Sequence, residues 1–209
     1  MKVGIIDYGV GNIGSVINAL EDLRCEPILI KNPSDLALAD AYILPGVGGF
    51  SNSMKLLEKD GWVIGIQDEI LGVGKPILGI CLGMQLLASF GNEWGDGVSQ
   101  AGLGLIPGRV EGLRELGCKL RVPHVGWNEV SCVSESGGLF AGISDETDFY
   151  FVHSYMFVPD DKHHILASCN YDITITAAVR SGKIWGVQFH PEKSSRAGFR
   201  LLKNFLEHS

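Results

Sequence analysis

Pro76-Ile77-Leu78-Gly79-Ile80-Cys81-Leu82-Gly83-Met84-Gln85-Leu86-Leu87 joins two patterns with no spacer between them. Residues 76–80 are an apolar run of the kind buried on both faces of a sheet, and residues 84–87 continue as an apolar helical stretch. At the junction, Gly79-Ile80-Cys81-Leu82-Gly83 has the form glycine-x-nucleophile-x-glycine, the pattern of a strained strand-to-helix turn that lifts one side chain out of the sheet. Glycine on both sides removes Cβ atoms that would collide across so tight a turn. A cysteine at the start of a helix also meets unsatisfied N–H groups and positive potential, which favour thiolate over thiol. A small buried hydrophobe at a strand end is the other reading of a free cysteine.

Upstream of the turn, the same strand-then-helix alternation repeats. Val3 to Ile6 is a buried run, followed by a glycine-rich loop and an amphipathic stretch from Ile13 to Leu23. Pro27 to Ile30 and Ala41 to Leu44 repeat the strand pattern, and helical periodicity returns through Met54, Leu57, Val63, Ile66 and Ile70. Alternation of this kind implies a parallel sheet covered by helices. Downstream the texture changes to short strands with turn signals: Leu105 to Gly108, Phe149 to Val152, and Ile173 to Val179 joined through Ser181-Gly182 to Ile184 to Phe189. These predict antiparallel strands added to the sheet in the C-terminal half. Phe199, Leu202 and Phe205 mark a closing amphipathic helix over 196–206. The expected fold is therefore α/β, with a mostly parallel central sheet flanked by helices. No Pro/Ser-rich linker divides it, so residues 1–209 read as a single domain.

Composition narrows the function classes. The chain has 209 residues and a net charge of −7 without a local basic cluster, so it lacks the positive field that gathers phosphate backbones and no nucleic-acid partner is expected. No apolar run reaches the roughly 18 to 20 residues that span a bilayer, and no signal peptide opens the chain, so a cytoplasmic protein off the membrane is expected. Five cysteines, at 25, 81, 118, 132 and 169, form no CxxC pair, which argues against disulfides and structural zinc. His163-His164 beside Asp160-Asp161 reads as a solvated loop. Neither a metal nor another cofactor is expected.

Gly9-Val10-Gly11-Asn12-Ile13-Gly14 fits the dinucleotide fingerprint in pattern and context. That fingerprint also needs a carboxylate about 20 positions on, at the tip of the next strand, to hold the ribose. Lys31 stands there. A glycine turn that packs the first helix on the sheet, or shows backbone to a partner, is the better reading.

Support for the cysteine comes from Gln188-Phe189-His190-Pro191-Glu192-Lys193. Side chains at i and i+2 of an extended segment share a face, and Pro191 keeps the segment extended. His190 and Glu192 can therefore hydrogen-bond, leaving the second ring nitrogen free to take a thiol proton and later protonate a leaving amine. Pro45-Gly46-Val47-Gly48-Gly49 follows the third predicted strand on the carboxyl-end edge where open α/β sheets bind ligands. Its backbone N–H groups at Val47 and Gly48, with that of Leu82, form a candidate oxyanion hole.

Taken together, Gly79 to Gly83 and His190-Pro191-Glu192 resemble the nucleophile elbow and His-x-Glu pair of the class I glutamine amidotransferases. The resemblance implies that Cys81 attacks the side-chain amide of glutamine, His190 shuttles the proton and Glu192 orients His190. Asp7 to Asn12, Pro45 to Gly48, Pro123 to Asn128 and His190 to Ser194 further resemble the glutaminase subfamily of imidazole glycerol phosphate synthases, in histidine biosynthesis. By that resemblance Gly48, Gln85, Glu93, Ser154 and Tyr155 hold glutamine. Val10, Asn12, Trp127 and Lys193 then face a (β/α)8-barrel cyclase, the heterodimer partner that receives the ammonia. Trp127 is read otherwise as a core tryptophan.

Three alternatives stay open on sequence. Looser matching over 94–104 and 171–175 allows a paralogue supplying ammonia to another synthase, such as one amidating a surface sugar. A stand-alone peptidase or amidase would use the same framework with an extended groove. A catalytically idle binding module would leave Cys81, His190 and Glu192 without a task.

Overall fold

The computed structural model describes residues 1–92, 99–132 and 138–208. Its first half is the expected alternation: β1 (Val3–Ile6), α1 (Ile13–Asp22), β2 (Ile28–Ile30), β3 (Ala41–Gly46), α2 (Phe50–Lys59), α3 (Trp62–Gln67), β4 (Ile77–Cys81) and α4 (Leu82–Leu86). The apolar periodicity from Met54 to Ile70 is divided between α2 and α3, because Gly61 takes a left-handed conformation at φ 79° and turns the chain. A π-helical turn, Asp68–Gly72, then completes the run.

The second half supplies two short strands, β5 (Phe90–Gly91) and β6 (Gln100–Ala101), then β7 (Gly108–Gly112), β8 (His124–Cys132), β9 (Thr147–His153), β10 (Tyr155–Pro159), β11 (Ile165–Tyr171), β12 (Ile173–Ser181) and β13 (Ile184–Val187). Helix α5 (Ser195–His208) ends the described chain. The large sheet has nine strands in the order β2-β1-β3-β4-β13-β12-β11-β8-β9. Strands β2, β1, β3, β4 and β13 are mutually parallel, and the remainder add antiparallel as expected.

A second sheet, in the order β10-β7-β5-β6, was not legible in the sequence. The chain passes from the large sheet into the small one at Ser154, between β9 and β10. The strand expected over Leu105 to Gly108 is corrected: 105–107 form a bend, and the strand begins at Gly108. The cause is the end of α4, whose carbonyls need donors. Leu103 N–H donates to Leu86 O at 2.8 Å, and Leu105 and Ile106 N–H donate to Leu87 O at 2.9 and 3.0 Å.

Alternating strand residues feed a core on each face of the sheet. Val3, Ile5, Leu78 and Ile80 pack with Val16 and Leu20 of α1 and with Leu201, Leu202 and Phe205 of α5. Ile6, Leu44 and Ile77 face the other way, against Phe50, Met54 and Leu57 of α2, Trp62 and Ile66 of α3, and Met84 of α4. Helices on both sides leave the carboxyl ends of β1, β3, β4 and β13 along one edge, where a ligand can reach them.

Candidate active site

Three glycines set the shape of the turn at Cys81. A Cβ on Gly79 would lie 2.6 Å from Gly83 O, one on Gly46 would lie 2.8 Å from Gly83 N, and one on Gly83 would lie 1.8 Å from Leu44 O. The start of α4 is thus pressed between β3 and β4, backbone against backbone. Cys81 takes up the bend itself, at φ 55° and ψ −110°, a conformation that costs a non-glycine residue of order 1–3 kcal/mol and persists only where the surroundings impose it. Strain of this kind at a sulfur on the cleft floor fits a nucleophile and not a buried spacer.

The cleft above it measures about 450 Å³ and is lined by Val47, Gly48, Cys81, Leu82, Gln85 and His190, with Val152 to Tyr155 opposite. His190 Nδ1 lies 2.8 Å from Glu192 Oε1. The ring lies beside Cys81 in the cleft lining, and the sulfur is one of the groups that favour its charged form. Burial works against a charge on His190, but Cys81 and Glu192 outweigh it and push its pKa up to about 9. An imidazolium facing sulfur is both a counter-ion for a thiolate and a proton donor for a leaving amine. The loop after β3 forms the rim: Val47 is exposed and Gly48 sits at φ 94°.

Gln85 sits one helical turn from Cys81, and both hydrogens of its amide are committed. Nε2 donates to Tyr155 O and to Gln188 Oε1, each at 2.9 Å. What it offers the cleft is its carbonyl oxygen, an acceptor suited to an ammonium or amide N–H. Gln188, fully buried, also turns Nε2 toward Cys81 Sγ at 3.8 Å. Nothing in the sequence around Gln188 singles it out, although the alternation that pairs His190 with Glu192 places it on the same face. Ser154 and Tyr155 line the cleft. Glu93 lies outside the described residues.

Of the expected partner-facing residues, Asn12 touches the triad and Trp127 reaches it through Tyr150. Asn12 Nδ2 donates to Glu192 Oε1 at 3.4 Å, and its own Oδ1 accepts from Ser15. The turn before it uses positive φ at Gly9 and Gly11, which accounts for the glycine pattern without a nucleotide. Trp127 is 53% exposed and packs edge-on to Tyr150 at 6.0 Å, which removes the core reading. Tyr150 in turn lies 6.5 Å from the His190 ring. Lys193 is exposed and Val10 half-buried. Val125 and Val152, cross-strand partners on β8 and β9, add exposed apolar surface.

Among the described residues no group of three or more His, Cys, Asp or Glu side chains could hold a metal, and no helix is long and apolar enough to cross a membrane. A model of the family Glutamine amidotransferase class-I matches residues 4–209. Imidazole glycerol phosphate synthase subunit HisH of Moorella thermoacetica is 44% identical over 205 residues, covering 98% of this chain and 94% of that protein. HisH of Geobacter sulfurreducens is 43% identical over 210 residues, covering 99% and 98%. HisH 1 of Prochlorococcus marinus is 48% identical over 206 residues, covering 97% and 95%. Among solved structures, PurLQS from Thermotoga maritima superposes with a TM-score of 0.75 at 19% identity, covering 99% of this chain and 97% of that one. A structure described as glutamine amidotransferase gives 0.74 at 23%, covering 98% and 97%; these two likenesses concern the fold alone.

Proposed function

The chain belongs to the class I glutamine amidotransferase family, and from that premise we propose that it is the glutaminase subunit of an imidazole glycerol phosphate synthase, acting through Cys81, His190 and Glu192. The observation that carries the assignment of residues is the convergence of that sulfur and imidazole, from two distant segments, on one cleft, with the buried carboxylate hydrogen-bonded to the imidazole. Residues 1–209 would serve as one amidotransferase domain. Its relatives among HisH subunits, 43–48% identical over nearly the whole chain, support the synthase.

In this reading glutamine lies with its side-chain amide over Cys81, and Gln85 Oε1, Gly48, Ser154 and Tyr155 hold its other end. Cys81 Sγ forms a bond to the amide carbon while the carbonyl oxygen takes negative charge, stabilised by backbone N–H groups of Val47, Gly48 and Leu82. His190 gives a proton to the amide nitrogen, the C–N bond breaks, and ammonia leaves a glutamyl thioester. Water then attacks the thioester, His190 accepts its proton, and the C–S bond breaks to give glutamate. Glu192 keeps His190 oriented throughout.

The imidazolium is lost as pH rises through about 9, so kcat/KM for glutamine should fall on that alkaline side. Glu192→Gln removes one of the interactions that raise the His190 pKa, so it should move this limb to lower pH and cost on the order of 10² in rate. A limb that stays in place under Glu192→Gln contradicts the role given to Glu192.

The partner face is Val10, Asn12, Trp127 and Lys193, and the partner a (β/α)8-barrel cyclase that receives the ammonia. Trp127 supplies large, stiff contact area of the kind that dominates interfaces. Because Asn12 touches Glu192 and Tyr150 bridges Trp127 to His190, docking bears directly on the catalytic groups. Mixing the purified chain with its cyclase should raise glutamate release by on the order of 10² to 10³, the worth of one well-placed oxyanion donor. With the cyclase's own phosphorylated substrate present and glutamine as the nitrogen source, the mixture should also produce imidazole glycerol phosphate. Full glutaminase activity of the chain alone, or no product with the cyclase, would count against this reading.

A further inference from the structure

Two buried histidines face each other across β8 and β9, and one of them, His153, belongs to the cleft lining. His124 and His153 are cross-strand partners, 3% and 6% exposed, with His124 Nδ1 2.9 Å from His153 Nε2. His153 Nδ1 lies 2.9 Å from Tyr155 O, the carbonyl that also accepts from Gln85. At the far end, Asn128 Nδ2 donates to Asn170 O at 2.9 Å and approaches His124 Nε2 at 3.4 Å. His124 is stacked between Phe151 and Tyr171, at ring separations of 4.9 and 4.0 Å.

Both ends of this chain of contacts are backbone carbonyls, which only accept. The direction of every bond between them is therefore determined. His153 must carry its proton on Nδ1 to serve Tyr155 O, so its Nε2 is a lone pair. His124 must then carry its proton on Nδ1 to serve that lone pair, leaving its own Nε2 to accept from Asn128. Two neutral rings satisfy every partner. A third proton would set two N–H groups against each other, between the rings at 2.9 Å or between His124 and Asn128 at 3.4 Å. Burial agrees, holding His124 down to about 4 and His153 to about 3, with the neighbouring His124 and His190 adding to the effect on His153.

We propose that His153 is a positioning residue for the glutamine site: held by His124 and Asn128, it pins the Tyr155 carbonyl, and through it the Gln85 amide, where the substrate is gripped. This rests on the glutaminase reading of the cleft. The Tyr155 carbonyl receives one hydrogen bond from α4 and one from β9, so its position ties the helix of the elbow to the strand opposite. Gln85 commits its second hydrogen to Gln188, beside Cys81. Loss of the His153 bond removes the tie between Tyr155 O and β9 and loosens the substrate side of the cleft, without touching the His190–Glu192 pair.

The test uses the complex of this chain with its cyclase and compares wild type with His153→Leu and His153→Asn. An ordinary hydrogen bond corresponds to roughly a 3- to 10-fold change in an equilibrium. His153→Leu should raise KM for glutamine by about that factor and leave kcat within about twofold. His153→Asn, whose side-chain amide nitrogen can take the place of Nδ1, should restore KM to near the wild-type value. Nitrogen-15 NMR of the wild-type chain should show both rings neutral and protonated at Nδ1, a result independent of whether His153→Leu folds. An unchanged KM in His153→Leu, a fall in kcat alone, no rescue by asparagine, or a ring protonated at Nε2 would overturn the proposal. A wild-type complex that does not turn over glutamine would instead overturn the glutaminase reading on which it rests.

Discussion

Replacement of Cys81 by alanine is expected to lower glutamine-dependent synthesis in the complex by on the order of 10⁴ or more, while synthesis from ammonium salts stays within about twofold of wild type. The first figure follows from the chemistry: without the sulfur no thioester forms, and removing a nucleophile from a unit of interdependent groups costs nearly all that the unit supplies. Ser154 also lines the cleft, but it stands at the junction of β9 and β10 and not at the elbow. The second figure follows from packing. Only one atom is removed, its contacts with Val152 O and Gln188 Nε2 are long, at 3.8 Å each, and the bend is set by the surrounding glycines. Ammonia supplied from solution needs no thioester. Parallel assays with the two nitrogen sources decide the matter, since equal loss with both would make Cys81 a structural residue.

What could be read from the linear chain was local. The runs at 3–6, 41–44 and 76–80 announce buried parallel strands because no residue in them tolerates water on either face. The elbow and the His190–Glu192 pair are legible because each is governed by backbone geometry over three to five residues. The insertion of β13 beside β4 is not local: it brings Val187 level with Ile80 across more than a hundred residues, and it is what carries His190 to Cys81. The bend at 105–107 escaped because its apolar residues are spent on closing α4, a use that leaves the same composition as a strand. His124 and His153 escaped for a further reason. Each is an unremarked histidine in its own strand, and only the register of β8 on β9 makes them a pair. Trp127 could be read from sequence as core or as contact surface, and its exposure decides between them.

Gly83→Ala should be among the most damaging single-methyl changes at the described glycines. The added Cβ would fall 1.8 Å from Leu44 O and 2.9 Å from Leu44 C. Both are backbone atoms of β3, a strand held on one side by β1 and on the other by β4, so neither neighbour can yield by rotating a side chain. Overpacking against atoms that can move costs about 1–3 kcal/mol. Here the cost should reach about 3 kcal/mol or more, which for a chain of this size lowers Tm by roughly 6–12 °C. Any protein that still folds must lift α4 away from β3, and that displaces Cys81 and the Leu82 N–H together. An error of about 1 Å in such a constellation costs on the order of 10² in rate. Gly14→Ala supplies the control, because that glycine lies in α1 and a methyl group there would meet nothing within 4 Å. Removing chain entropy there should stabilise the fold by about 0.4–1 kcal/mol. Thermal melts of the two variants should therefore shift in opposite directions, and a Gly83→Ala protein that melts and turns over glutamine like wild type would mean that the elbow is not pressed against β3.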